Sequence, residues 1–169
     1  MMSYTYILIL FFTIIICFLS SFDSRILFHR HFGAFFKAAL VVAVPFIAWD
    51  IYFTAKEVWW FNTDYTLGFF IGGLPLEEWL FFICIPFSCI FTYFCFDKFF
   101  KLDWLSCFNN LIVFFSVIVC SIVALLYYDR IYTLLTAVIT LVVLLYLHFV
   151  RCVDWIGKAS FVFTILMLG

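Results

Sequence analysis

Two adjacent carboxylic acids interrupt an otherwise apolar stretch of the chain. Residues 72–87 read GGLPLEEWLFFICIPF, which places Glu77 and Glu78 at the start of a segment with the composition of a membrane span. A carboxylate inside hydrocarbon is costly, so it is rarely kept there without a function. Two carboxyl groups this close also resist ionising together, and a pair that shares one proton can act as an acid. The pattern therefore indicates acid–base chemistry.

Part of the same stretch also fits an ordinary helix start. Pro75 suits the first turn of a helix, and Gly72–Gly73 gives the preceding turn its conformational freedom. Acids in a first turn are stabilised by the free N–H groups and the positive end of the helix dipole. Helix capping does not account for Asp50, which lies near the end of the preceding apolar segment. We therefore predict that Asp50 faces the two glutamates at a similar depth.

Four tryptophans lie near these acids in the predicted arrangement. They are Trp49, Trp59, Trp60 and Trp79. A belt of tryptophan at the membrane surface explains their depth. Aromatic faces also stabilise a cation that passes between them. The sequence leaves both interpretations open.

The composition of the chain indicates the class of protein in which these side chains lie. Its 169 residues are 69% hydrophobic, 25% aromatic and 11% charged, with mean hydropathy +1.25. Soluble domains carry roughly a quarter charged residues, so we predict an integral membrane protein. The net charge of -1 argues neither for nor against nucleic acid, but no basic run offers a phosphate-binding stripe, so we expect no nucleic-acid partner. No dinucleotide fingerprint, phosphate loop or metal-ligand spacing is present, and we expect no metal site and identify no cofactor.

Five stretches are long enough to cross a bilayer, because a helix needs roughly 20 residues to span about 30 Å of hydrocarbon. The predicted spans are 4–20, 33–53, 74–96, 105–128 and 131–150. A sixth apolar run begins near residue 159 and is too short to cross. The sequence therefore predicts an all-α fold, a polytopic transmembrane helical bundle of about five full spans plus the start of a sixth.

The basic residues in the short connections predict the orientation of the spans. Seven fall on one side of the predicted membrane and two on the other. The seven are Arg25, Arg30, Lys37, Lys98, Lys101, Arg151 and Lys158, and the two are Lys56 and Arg130. We expect the side with seven to be cytoplasmic, which places the N-terminus and the loops at 54–73 and 129–130 outside.

Three motifs connect these observations to a known family. They are WD followed by YFT at 49–54, VWWFN at 58–62, and LPLEEWLFF running on to PF at 74–87. With the opening YTYILILFF and SFDSRILF at 21–28, the chain resembles the lycopene cyclase domain of the heterodimeric-type carotenoid β-cyclases. The P-x-E-E element at Pro75–Glu78 is the most specific part. The resemblance covers residues 4–97 and implies an integral protein of the bacterial cytoplasmic membrane.

The resemblance implies a reaction that isomerises lycopene or a related linear carotenoid. A proton added to the terminal alkene of the linear end group gives a tertiary cation, which closes to a β-ionone ring and loses a proton. Glu77 and Glu78 are then the candidates for the acid and its partner, and Asp50 holds a proton in place or takes the second role. The candidate cation-stabilising aromatic side chains are Trp49, Phe53, Trp79 and Phe82.

The resemblance also implies two related halves of about three helices, each with a P-x-E-[ED] element. The first half-unit is expected at 1–104, with 105–169 as the start of a second, incomplete one. We expect either a C-terminally truncated chain, or completion by a second cyclase half-unit or a homo-oligomer. A non-catalytic half-unit that needs a partner is therefore the main alternative. A small transporter or proton relay fits less well, because the polar residues cluster at one membrane face.

Overall fold

The computed structural model describes residues 4–168, most of which are helical. The helices are α1 (Thr5–Ser20), α2 (Phe32–Ala55), α3 (Leu76–Phe100), α4 (Asn109–Leu126), α5 (Ile131–Leu145) and α6 (Ile156–Leu168). Short 3-10 turns precede α2 and α4, and one π-helical turn follows α5. The predicted all-α, membrane-type helical architecture is confirmed.

Four helical segments of the described residues are long and apolar enough to cross a membrane. They are Phe28–Ala55, Leu76–Phe100, Leu102–Leu126 and Ile131–Val150. They correspond to four of the five predicted full spans. The first predicted span forms α1, whose 16 residues extend about 24 Å and so fall short of a typical bilayer core. The 13 residues of α6 are also short, as the sequence indicates. The number of helices that cross stays a prediction.

The chain divides into two compact units. Unit 1 is Met1–Cys95 and holds α1, α2 and most of α3. Unit 2 is Phe96–Gly169 and holds the end of α3 together with α4, α5 and α6. The functional half-units expected at 1–104 and 105–169 stay a prediction.

Unit 1 is held together by an aromatic core of phenylalanines from α2, α3 and the turn before α2. The buried members are Phe28, Phe35, Phe87 and Phe91, with Ala39 beside them. The ring of Phe87 lies 5.7 Å from that of Phe28 and 5.3 Å from that of Phe35, both edge to face. Edge-to-face contacts of this kind add to the stability that burial gives.

Each of the two long helices of unit 1 contains a proline in its interior. Pro45 lies within α2 and Pro86 within α3. Proline has no N–H, so the carbonyl four residues earlier loses its usual helical partner. In both helices the proline separates the part near the α2–α3 connection from the part in the aromatic core.

A two-stranded hairpin lies directly before α3. Strand β1 (Phe70–Ile71) pairs with β2 (Leu74–Pro75) through a two-residue turn at Gly72 and Gly73. Their φ angles of 63° and 83° match a type I′ turn, which needs positive φ at both central positions. The prediction that Pro75 occupies the first helical turn is wrong, because Pro75 pairs with Phe70 in the hairpin and α3 begins at Leu76.

Unit 2 joins α6 to the start of α4 through a buried asparagine. The Asn109 side chain donates to the carbonyl of Val153 at 3.1 Å and accepts from the amide of Gly157 at 2.9 Å. Helix α4 begins at Asn109, four residues after the predicted start of the span at 105, because Leu102–Phe108 forms a 3-10 turn.

The contact at Gly157 gives a prediction about the stability of unit 2. A Cβ at this position would lie 3.0 Å from the Leu105 carbonyl oxygen. Backbone atoms give way less readily than a flexible side chain, so we expect Gly157→Ala to destabilise the protein by about 1 to 3 kcal/mol. The measurement is the aggregation temperature in detergent, which should fall.

Gly33→Ala is the matched control, because a Cβ at Gly33 in α2 meets no atom within 4 Å. It should leave the aggregation temperature unchanged or raise it slightly, since alanine favours helix. Equal aggregation temperatures for the two variants would contradict close packing at Gly157.

Candidate functional site

The hairpin and the start of α3 place the two glutamates. Both Glu77 and Glu78 lie in the first turn of α3, as the sequence predicts. The amide of Leu76 donates to the carbonyl of Phe69 at 2.9 Å, which ties the first helical residue to the chain entering the hairpin. Neighbouring helical residues point about 100° apart. The two glutamates consequently meet different surroundings.

Glu77 holds the connecting loop. Its side chain is completely buried, and Oε1 accepts a hydrogen bond from the backbone amide of Leu67. The second oxygen, Oε2, is buried and has no hydrogen-bond partner among the described residues. A fully buried side chain bonded to the loop acts first as a tether of residues 56–69 to α3.

Glu78 lies half-buried and contacts α1. The Tyr6 hydroxyl donates to Glu78 Oε2 at 2.6 Å, within the short range typical of bonds from a hydroxyl to a carboxylate. Sequence reasoning missed Tyr6. The available signal was a tyrosine inside an apolar run, since a buried tyrosine hydroxyl usually finds a polar partner. Nothing in the sequence pairs Tyr6 with a residue 72 positions away.

Asp50 is the third acid, and α2 brings it to the same cluster. It is 6% exposed, and its Oδ2 atom is buried without a hydrogen-bond partner in the described part of the chain. The Asp50 carboxyl lies close enough to Glu78 and to the Tyr6 hydroxyl to interact with both electrostatically, and Glu77 also lies within this range of Tyr6. We call Asp50, Glu77, Glu78 and Tyr6 the acidic cluster. The individual chemical roles of the three acids stay predictions.

The candidate aromatic residues fall into two groups. Trp49 and Phe53 are neighbours on α2, with ring centroids 4.9 Å apart, and Trp59 stacks at a tilt 5.7 Å from Phe53. On α3, the Trp79 indole N–H donates to the carbonyl of Ile71 at 3.2 Å, so this side chain fastens the helix to the hairpin.

Phe82, the second aromatic candidate on α3, lies between α2 and α3. Its ring centroid is 5.7 Å from that of Phe81 and 6.4 Å from that of Phe46 on α2. Both aromatic groups therefore lie on the two helices that carry the acids, and their contact with a substrate stays a prediction.

A groove of about 340 Å³ opens between α1 and the connecting loop. Its wall includes Tyr6, Ile9, Trp60, Phe61, Tyr65 and Thr66. A second groove of about 490 Å³ lies on the other side of the loop, beside Thr54 and Gly73. The first is the one whose wall includes a member of the acidic cluster, and we call it the α1 groove.

The tether at Glu77 gives a prediction about the loop. Glu77→Leu removes the acceptor for the part-buried Leu67 amide and leaves it without this partner, which costs about 1 kcal/mol of local stability. We expect faster cleavage of loop 56–69 by chymotrypsin in membrane vesicles. Glu77→Gln keeps one acceptor oxygen and should be cleaved at close to the parent rate. Equal cleavage of the parent and both variants would rule out the tether.

Comparison with known proteins adds one match. The family model described as lycopene cyclase matches residues 3–96. No curated protein and no solved structure matches the chain. The matched residues include the whole acidic cluster and both groups of aromatic side chains.

Proposed function

The chain belongs to the lycopene cyclase family, and on that premise we propose that it converts the linear end group of lycopene into a β-ionone ring within the membrane. Its place is carotenoid biosynthesis, and its apolar helices fit a membrane protein. The finer assignment is an isomerase of the intramolecular lyase type, in a bacterial cytoplasmic membrane with the N-terminus outside.

The reaction needs an acid, a base and a dry site. The acid adds a proton to the terminal alkene and leaves a tertiary cation. The neighbouring double bond attacks this cation, which forms the C–C bond of the ring and moves the positive charge. The base then removes one proton to leave a ring alkene, so the product has the atoms and electrons of the substrate. Water must be kept away, because it would capture either cation.

Glu78 and Asp50 are the pair we propose for the proton steps. The observation that carries this proposal is the cluster in which half-buried Glu78 holds Tyr6 at 2.6 Å beside a buried Asp50 oxygen without a partner. Two carboxyl groups in such surroundings resist ionising together, so one of them keeps a proton to donate to the alkene, and the other, ionised, can remove the proton that the ring cation loses. Glu77 is completely buried, which favours a tethering role over contact with substrate.

The aromatic candidates are proposed to shield the cation. Trp49 and Phe53 lie within one turn of Asp50 on α2, and Trp79 and Phe82 lie within about one turn of Glu78 on α3. Aromatic faces attract a cation most strongly where water is absent. Side chains of this type beside the acids would stabilise the charged intermediates while excluding water.

A half-unit that needs a partner is the second candidate function. The family match ends at residue 96, one residue beyond the end of unit 1 at Cys95, and the acidic cluster lies wholly in unit 1. This correspondence fits a catalytic half that works beside a second cyclase half-unit or another copy of this chain.

Expression in a lycopene-accumulating bacterium tests both candidates. Cyclic product made by this chain alone, identified by chromatography of the pigments, would support a self-sufficient catalyst. Conversion only when a second half-unit of the family is co-expressed would support the partner-dependent form. Failure to convert lycopene under either condition, with the protein present in the membrane, would overturn the proposed function.

A further inference from the structure

The wall of the α1 groove reaches both glutamates of the acidic cluster. Tyr6 lines the groove and donates to Glu78 at 2.6 Å. Thr66 also lines it, and the next residue, Leu67, donates its amide to Glu77. One helix and one loop thus form the groove and hold the two acids. Tyr6 therefore connects the wall of the groove to Glu78 through one hydrogen bond, and Glu78 itself is not part of that wall.

The volume and lining of the groove fit a largely apolar ligand. Its volume of about 340 Å³ lies within the usual range for small-molecule sites, about 300 to 1,000 Å³. Ile9 is 58% exposed and Trp60 is 84% exposed, so the groove has apolar side chains on both sides. Thr5, Asn62 and Thr66 also line the groove, but most of its accessible surface is apolar.

We propose that the α1 groove receives the linear end group of the polyene, with Tyr6 as the positioning residue that presents the Glu78 carboxyl to it. This assignment rests on the proposed function. The sequence analysis did not identify this groove; its candidate contacts Trp49, Phe53, Trp79 and Phe82 are the side chains proposed above to shield the cation. Those residues lie on α2 and α3, whereas the groove is walled by α1 and the loop.

Tyr6 has a defined part in this arrangement. Its hydroxyl fixes Glu78 Oε2, so the carboxyl group is held in one orientation relative to the groove. A reacting carbon must meet the carboxyl within a narrow range of distance and angle, and small displacements are costly in rate. Tyr6 needs no contact with the reacting atoms to have this effect.

Three substitutions distinguish the role of the groove in binding substrate from the role of Tyr6 in positioning Glu78. Each is made in whichever form of the protein cyclises lycopene, alone or with a second half-unit. Ile9→Trp fills the groove and should raise the apparent KM for lycopene, measured against its mole fraction in liposomes, by roughly 10-fold. Trp60→Ala removes a largely exposed side chain from the groove wall and should raise the apparent KM about 5-fold. Tyr6→Phe keeps the ring but removes the hydroxyl, and should lower kcat roughly 10-fold and shift its pH dependence while leaving KM unchanged.

Ile16→Trp is the matched control. Ile16 lies two turns further along α1, is 69% exposed and is outside the groove, so the added bulk should leave KM at the parent value. If Ile9→Trp and Trp60→Ala both match Ile16→Trp in KM while the parent is active, the groove is not the substrate site. A parent kcat and pH profile in Tyr6→Phe would remove the positioning role. An inactive parent would instead count against the proposed function.

Discussion

Replacing Glu78 by glutamine is expected to lower the rate of ring formation about 100-fold or more, because general acid–base groups commonly contribute at least this much. Glutamine keeps the size and an oxygen that can accept from Tyr6, but it cannot give or take a proton at neutral pH. The amount of protein in the membrane should stay the same. Pigment chromatography after expression in a lycopene-accumulating strain measures the loss, and a rate assay in liposomes gives its size.

Asp129→Asn is the control for this experiment. Like Glu78→Gln, it replaces a carboxyl group by a carboxamide. Asp129 is exposed and lies in the α4–α5 connection, outside unit 1. We expect it to cyclise lycopene at the parent rate. Normal accumulation and parent activity in Glu78→Gln would show that Glu78 takes no part in proton transfer.

The largest stability effect is expected at Phe87. Its side chain is 2% exposed, and its ring meets those of Phe18, Phe28, Phe32 and Phe35. Phe87→Ala leaves a cavity among these rings. In soluble cores this change costs about 3 to 5 kcal/mol. For Phe87→Ala we expect a loss of roughly 3 kcal/mol, at the lower end of this range, because lipid also solvates the separated helices. The loss is still large, because packing supplies most of the energy of helix association in a membrane.

Equilibrium unfolding in mixed SDS micelles measures this effect, and the midpoint should move to a lower SDS fraction. Phe114→Ala is the matched control, since Phe114 on α4 is 68% exposed and its loss leaves no cavity. Equal midpoints for the two variants would mean that the aromatic core contributes little to the folded state.

The helices were predictable from the sequence because they depend on local composition. Long apolar runs give helices in lipid, since every backbone group must find a partner within the segment. The ends of α2 and α5 lie within two residues of the predicted spans if the π-helical turn after α5 is included. Glu77 and Glu78 were placed correctly in the first turn of α3, although Pro75, which was assigned to that turn, lies in the strand before it.

The contacts of the acids were less predictable, because they depend on how segments distant in sequence meet. The bond from Tyr6 joins residues 72 positions apart. The bond to Glu77 comes from a backbone amide, which every residue except proline has and which no sequence motif marks. The hairpin was also missed: Gly72–Gly73 predicted a turn, but Pro75 was assigned to the helix although it fits equally well as the last residue of a strand.

The two prolines of unit 1 have a mechanical consequence. A helix bends most easily where a hydrogen bond of its ladder is missing. Pro45 and Pro86 both lie between the acids and the buried phenylalanines of the aromatic core, so bending at these prolines would move Asp50 and Glu78 relative to that core. The loop ends of the two helices could then tilt to admit a bulky ring while the other ends stay anchored.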